Sequence, residues 1–133
     1  MFDVIIISHG DYSKAMLESA EMIMGKQERV KTMGLFPGDN VDTFRDNLFQ
    51  AIKESLSRGD LLLLSDTKSG SPFNSAIAAM DELEFTHVTG INLPLLLEVF
   101  GNRKRKNPGQ VKEIIFEMAP YTLVDVNKFL EGI

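Results

Sequence analysis

The chain of 133 residues contains no cysteine and only two histidines. Without cysteine, disulfides and thiolate metal sites are excluded. No apolar stretch approaches the roughly 20 residues that span a bilayer. The start of the chain also lacks the basic flank and small-residue cleavage site of a secretory signal. We therefore expect a cytoplasmic protein.

Basic charge is scarce as well, since 14 Lys and Arg residues stand against 19 Asp and Glu residues and give a formal net charge of −5. Nucleic acid is not expected as a partner, because binding it needs a basic surface that neutralises phosphates. The one basic cluster, Arg103–Lys106, is interpreted as a solvated loop. A docking patch for an acidic protein is the alternative.

The length and a hydrophobic fraction of 44% indicate a single soluble domain over residues 1–133. Strand-like and helix-like patterns alternate, which is typical of βαβ units. Right-handed crossovers then favour an α/β fold with one doubly wound, mostly parallel sheet in the order 2-1-3-4 and helices on both faces. The strands are predicted in a first run that ends at His9 and then at Val30–Leu35, Leu61–Leu64 and His87–Ile91.

The segment Tyr121–Val126 follows Pro120 and is rich in residues of high β propensity. No helical pattern follows that would return it to its own sheet, so we predict an edge strand. An exposed strand of this kind invites pairing with a second copy of the chain. The sequence thus predicts a homodimer.

His9 stands where the first predicted strand ends, and Gly10 and a helical pattern follow it. Open α/β sheets place their chemistry at such strand ends. Asp66 follows the third predicted strand, which neighbours the first in the expected order. A carboxylate that binds one imidazole nitrogen fixes the tautomer and leaves the other nitrogen as a nucleophile.

The loop that starts at Asp66 reads DTKSGSPFN and leads into a helix. Helix amino termini after His9 and after this loop would offer N–H donors to an anion. With donors around Gly10 and Thr67–Ser71, an imidazole nucleophile suits phosphoryl transfer. The chain lacks a P-loop pattern, so we expect no metal or nucleotide cofactor. The alternatives are a structural or merely exposed His9 and an Asp66 that only caps a helix.

We assign no functional role to the second histidine or to the methionines. The second histidine, His87, has no matching site, and we expect it to pack or to lie at the surface. The seven methionines fall mostly at inward helical positions and are expected in the core.

Four motifs together resemble the IIA component of the mannose-family sugar phosphotransferase system. They cover essentially the whole chain in the family's order, and the Asp66 loop is the most specific of them: Ser8–Gly10, Phe36–Asn40, Asp66–Asn74 and Gly90–Leu95. The resemblance implies that His9 transiently carries a phosphoryl group from phospho-HPr to a IIB component, which feeds the membrane components IIC and IID.

The resemblance also implies roles for other residues of the site. Asp66 would hydrogen-bond His9 and stabilise it. The phosphate-binding residues would be Gly10, Thr67, Gly70 and Ser71. Phe36 and Pro37 would line the pocket. The family further implies a homodimer in which a C-terminal strand is exchanged, antiparallel, onto the partner's sheet.

Two residues of the Asp66 loop depart from the family pattern. Ser69 stands where the first of two glycines is common, and Lys68 stands where a large apolar residue is frequent. If position 69 needs a positive φ, serine there costs about 1 kcal/mol. The departures leave the sugar branch and the partner surface open.

Other functions fit the sequence less well. A response-regulator receiver also has an aspartate after its third strand, but it needs an acidic pair where this chain has Ser8 and His9. A flavodoxin-type protein needs a hydroxyl- and glycine-rich phosphate loop there. A regulatory relative, or the IIA-like domain of the dihydroxyacetone kinase system, which also carries a phosphohistidine, stays open as the alternative.

Overall fold

A computed structural model describes residues 1–132 and contains one sheet of four parallel strands. The strands are β1 (Asp3–His9), β2 (Val30–Leu35), β3 (Leu61–Ser65) and β4 (Thr86–Thr89). Their order is β2-β1-β3-β4, which confirms the predicted topology. The two central strands, β1 and β3, are buried on both faces along almost their whole length, as their continuous apolar sequences indicate.

Helices cover both faces of the sheet. In chain order they are α1 (Tyr12–Met24), α2 (Val41–Arg58), α3 (Ser71–Met80), α4 (Leu93–Asn102), α5 (Pro108–Met118), a 3₁₀ turn (Ala119–Tyr121) and α6 (Val126–Glu131). Asparagine side chains cap three of them by accepting a backbone N–H at 2.9–3.0 Å, namely Asn40, Asn92 and Asn107. None of the helices in residues 1–132 is long and apolar enough to traverse a bilayer.

The core has two layers because successive side chains of a strand point to opposite faces. One layer joins Val4, Ile6, Leu62 and Leu64 to residues of α1, α4 and α5. The other joins Ile5, Ile7, Leu61 and Leu63 to residues of α2 and α3. The methionine prediction was wrong for most positions: Met16 is buried, whereas Met22 is 88% exposed and Met24, Met80 and Met118 are also exposed.

The predicted C-terminal edge strand is not a strand in this structure. Tyr121 ends the 3₁₀ turn, and α6 begins at Val126. Local hydrogen bonds favour the turn: the Thr122 hydroxyl donates to the Ala119 carbonyl at 2.8 Å and accepts from Asn92 Nδ2 at 3.0 Å. Asp125 caps α6 by accepting the Lys128 N–H at 3.1 Å. Such side-chain bonds to the local backbone compete with extended structure.

The interpretation of the basic cluster as a solvated loop was wrong for Arg103, which is 1% exposed. Its guanidinium donates to the carbonyl oxygens of Phe2, Glu28 and Arg29 and lies over the Phe100 ring. It thereby ties the start of β1 to the segment before β2. Burial lowers the pKa of this guanidinium. The remaining residues, Lys104–Lys106, are exposed, as predicted.

An ion-paired carboxylate lies at the same amino-terminal edge of the sheet. Asp3 is 2% exposed and accepts hydrogen bonds from Arg29 Nε at 2.5 Å and Arg58 Nη2 at 2.6 Å. Burial alone would raise the pKa of this carboxyl, but hydrogen bonds from Arg58, Arg29 and Ser55 together outweigh burial and lower that pKa. Asp3 therefore stabilises the fold in its charged form.

Replacing Asp3 tests this edge. Because the pKa of Asp3 in the folded state lies below its usual value of 3.8, its stabilisation is complete above about pH 5 and is lost as the pH falls through the folded-state pKa. We expect Asp3→Asn to lower the free energy of unfolding at pH 7 by roughly 1.5–3 kcal/mol, as for other hydrogen bonds to charged groups. Urea titrations between pH 2 and pH 7 should also show that the free energy of unfolding falls less steeply with decreasing pH in the variant than in the wild type. An equal pH dependence of the two proteins would contradict this role.

Candidate functional site

The site lies at the carboxyl edge of the two central strands. β1 and β3 pair in parallel with Ile7 opposite Ser65, so the residues that follow these two positions leave the sheet side by side. His9 is the last residue of β1, and Asp66 is the first residue after β3. The topology thus brings together the two residues that the sequence singled out.

One oxygen of Asp66 binds His9 twice. Asp66 Oδ2 accepts the His9 backbone N–H at 2.9 Å and lies 2.8 Å from His9 Nδ1. Asp66 Oδ1 accepts the Thr67 backbone N–H at 2.9 Å. A carboxylate at this position holds a proton on Nδ1, so Nε2 keeps its lone pair. The His9 side chain is 53% exposed and that of Asp66 only 12%, so the imidazole faces outward and its carboxylate partner does not.

Gly70 lies directly against His9 Nε2. Its φ is +94°, and a Cβ added at this position would stand 2.6 Å from His9 Nε2 and 2.7 Å from His9 Cε1. The absence of a side chain is therefore what lets the loop pass this close to the imidazole. Ser69 has no positive φ, since Arg29 is the one non-glycine residue of 1–132 that does. The departure at position 69 costs no left-handed strain.

Backbone donors at the start of α3 are among those that the site leaves free. Among the hydrogen bonds of residues 1–132, none uses the backbone N–H of Ser71 or Phe73 as a donor. Two other predicted donors are occupied: the Gly10 N–H donates to the Leu35 carbonyl at 2.8 Å, and the Thr67 N–H donates to Asp66. The N–H groups of Gly10 and Thr67 thus have partners within the chain, and phosphate binding by Gly10, Thr67, Gly70 and Ser71 stays a prediction.

Ser8 and Gly34 are supporting residues that the sequence analysis missed. The buried Ser8 hydroxyl donates to the Gly10 carbonyl at 3.1 Å and accepts the Ser13 N–H at 2.8 Å, which fixes the turn from β1 into α1. A Cβ at Gly34 would overlap the Gly10 carbonyl oxygen. A glycine inside a strand that borders a predicted site is the signal that could have found it, because it marks a close approach of backbone.

Phe36 and Pro37 follow β2, whose last residue, Leu35, pairs with His9. Phe36 is 44% exposed. Its turn is closed by the Phe36 N–H, which donates to Asp39 Oδ2 at 2.8 Å, and by the Asp39 N–H, which donates to the Phe36 carbonyl at 3.0 Å. The turn thus presents an exposed aromatic ring on the same edge of the sheet as His9.

His87 packs behind the site, as predicted. Its Nε2 lies 2.8 Å from the hydroxyl of Ser65, the residue before Asp66, and its ring centroid lies 5.6 Å from that of Phe73 in the first turn of α3. Burial lowers the pKa of His87 to about 4, so the imidazole is neutral near pH 7. Within residues 1–132, no cluster of three or more potential ligand residues could hold a metal ion.

Substitution of Gly70 tests the close approach to Nε2. We expect Gly70→Ala to place a methyl group against the reactive nitrogen and to reduce any reaction there by at least about tenfold, the scale of a misplaced group in an active site. Gly25→Ala is the matched control, since Gly25 has a φ of +88° but nothing within 4 Å of an added Cβ. Both variants should lose about 1 kcal/mol of stability to backbone strain. Equal reactivity of Gly70→Ala and the control would refute the contact.

Comparison with known proteins identifies relatives across most of the chain. The profile of the family described as PTS system fructose IIA component (EIIA-man) matches residues 3–116. The fructose-specific EIIA component of Bacillus subtilis is 33% identical over 105 residues, which are 78% of this chain and 72% of that protein. The mannose-specific EIIAB component of Escherichia coli K12 is 32% identical over 96 residues, which are 71% of this chain but only 30% of that longer protein.

Solved structures show the same architecture. The PTS IIA protein associated with the fucose utilization operon of Streptococcus pneumoniae superimposes with a TM-score of 0.87 and is 32% identical, covering 97% of each chain. The phosphotransferase system component EIIA of Streptococcus agalactiae superimposes with a TM-score of 0.86 at 25% identity, covering 96% of this chain and 99% of that one.

Proposed function

Because the chain belongs to the EIIA-man family of phosphotransferase-system IIA components, we propose that it is a phosphocarrier whose acceptor is His9 Nε2. The phosphoryl group comes from phospho-HPr and passes to a IIB component during sugar uptake. One observation supports this most directly: Asp66 binds Nδ1 at 2.8 Å, which leaves the exposed Nε2 as the free nucleophile.

The proposed step needs no proton transfer. The lone pair of Nε2 attacks phosphorus, the bond between phosphorus and the donor's nitrogen breaks, and the His9 ring becomes cationic because Nδ1 keeps its proton. The Asp66 carboxylate stabilises that cation and holds the proton in place. The unused N–H groups of Ser71 and Phe73, at the start of a helix, are suited to the phosphoryl oxygens. The chemistry uses the chain's own groups, without a metal.

The first prediction concerns the acceptor. His9→Ala removes the nucleophile from an exposed position, so we expect it to abolish phosphorylation by phospho-HPr and to leave the circular dichroism spectrum unchanged. The phosphorylated wild-type protein should be labile in acid and stable in alkali, as a phosphoramidate is. Incubation with radiolabelled phospho-HPr measures both properties. Undiminished labelling of His9→Ala would contradict the assignment of His9 as the phosphoryl acceptor.

The second prediction concerns Asp66. Asp66→Asn keeps the shape of the side chain but removes the negative charge that stabilises the cationic ring and favours the Nδ1–H tautomer. We expect the rate of transfer from phospho-HPr to fall by roughly 10- to 10³-fold. Rapid-quench measurements of the single transfer step give this rate. Transfer at the wild-type rate would show that Asp66 serves only the backbone of the loop.

The relatives favour sugar uptake over a kinase-linked relay. Three of the relatives that match by sequence are named as fructose-, mannose- and sorbose-specific components. We accordingly propose that this chain acts in the cytoplasm beside IIB, IIC and IID components of its own system. Neighbouring reading frames test this choice, because genes for those components support uptake and genes for a dihydroxyacetone kinase support the relay.

We also propose that the chain forms a homodimer through its C-terminal segment. Apolar side chains there are exposed to an extent that is unusual for a monomer surface: Tyr121 is 75% exposed, Leu123 91%, Val124 55%, Val126 58% and Phe129 62%. Large apolar side chains that are exposed together in one short segment favour an interaction site. A two-fold pairing would cover the segment of both copies at once.

Sedimentation equilibrium at micromolar concentration tests the homodimer. We expect about twice the chain mass of 14.9 kDa for the wild type. Leu123→Ser should shift the equilibrium toward monomer without unfolding it, because Leu123 makes little contact within its own chain. Met22→Ser, which changes a side chain that is 88% exposed on α1, is the matched control and should stay dimeric. A monomeric wild type would contradict the proposal.

A further inference from the structure

Lys68 is a cation in the loop that surrounds the nucleophile. It lies between Asp66, which binds His9 Nδ1, and Gly70, which lies against His9 Nε2. The lysine is exposed, and it takes part in none of the ion pairs among residues 1–132. Its ammonium group is thus free to interact with the negative charge that a phosphoryl group would bring to His9.

The chain geometry limits how far Lys68 can be from the reacting nitrogen. Two residues of chain span at most about 7 Å, and Lys68 is two residues from both Asp66 and Gly70. Its Cα therefore lies within about 7 Å of two residues that each contact the imidazole ring. A flexible four-carbon stem carries the ammonium further in any direction. The stem can therefore bring the positive charge toward the phosphoryl position, to within a Debye length of about 8 Å.

A phosphoryl group carries about −1.5 to −2 charges at pH 7, and the cationic His9 ring offsets about one of them, so this edge gains roughly −0.5 to −1 charge. The Asp66 carboxylate is already there, and the chain as a whole carries a formal charge of −5. Within the Asp66–Gly70 loop, Lys68 is the one side chain that can offset this negative charge. The backbone N–H groups of Ser71 and Phe73 contribute only partial charges.

We propose that Lys68 stabilises the phosphorylated state of His9 electrostatically and so raises the equilibrium constant for transfer of the phosphoryl group from the donor to this chain. The proposal rests on the assignment of His9 as the acceptor. The ammonium acts on phosphoryl oxygens and forms no covalent bond. A lysine at this position would raise the equilibrium fraction of phosphorylated protein, whereas an uncharged side chain would lower it.

The equilibrium constant for phosphoryl exchange between phospho-HPr and this chain is the quantity to measure. It depends only on the end states, so a change in how the two proteins dock alters the rate but not this constant. Full-length protein and HPr are mixed with limiting phosphoryl donor, and the phosphorylated fractions are read by native gel electrophoresis. Measurements at about 10 mM and about 1 M salt compare Debye lengths of roughly 30 Å and 3 Å.

For Lys68→Met we expect the equilibrium constant to fall about two- to tenfold at low salt, equivalent to about 0.4–1.4 kcal/mol. The difference should vanish at high salt, and Lys68→Arg should restore the wild-type value because it keeps the charge. Lys106→Met is the matched control. It makes the same change in net charge at an exposed lysine of the opposite edge, beside Arg103, and should shift the constant much less.

Three outcomes would overturn the role of Lys68. The first is an unchanged equilibrium constant with a slower rate, which would make Lys68 a docking residue. The second is an equal shift in Lys106→Met. The third is a shift that salt does not remove. Failure of the His9 assignment looks different, because it would leave His9→Ala labelled whatever residue stands at position 68.

Discussion

The geometry of the site depends on a single carboxylate oxygen that bonds one residue in two ways. Asp66 Oδ2 accepts both the backbone N–H and the ring Nδ1 of His9. The backbone bond fixes where β1 ends relative to β3, and the ring bond fixes how the imidazole turns. With the ring held, Nε2 can face only the space bounded by Gly70. Position, tautomer and direction of the nucleophile therefore follow from one interaction between adjacent strands.

Charged groups are arranged differently at the opposite edge of the sheet. There the buried charges have partners within the chain: Asp3 is ion-paired to two arginines, and Arg103 donates to backbone carbonyls. At the carboxyl edge, by contrast, N–H groups at the start of α3 are unused and the imidazole is half exposed. Permanent charges stabilise the fold at one end, and the other end is left able to accept a transient charge.

Much of this could be predicted from the sequence because strand ends and apolar runs are local signals. Leu61–Leu64 could only be a short buried strand, and that placed Asp66 beside His9. The C-terminal prediction failed because Thr122 and Asp125 form local hydrogen bonds that β propensity does not register. The burial of Arg103 was equally hidden, since its carbonyl partners come from segments about 75 to 101 residues away in the chain. The contact of Gly70 with Nε2 needed the three-dimensional path of the loop.

Gly34 shows that the site extends beyond the residues that touch its chemistry. A methyl group at this position would collide with the Gly10 carbonyl. The turn that carries His9 out of the sheet would then have to move. The residue type at position 34 of β2 is therefore restricted by the backbone of the neighbouring turn after β1. A relative that keeps this turn is therefore expected to keep a glycine at the position of Gly34.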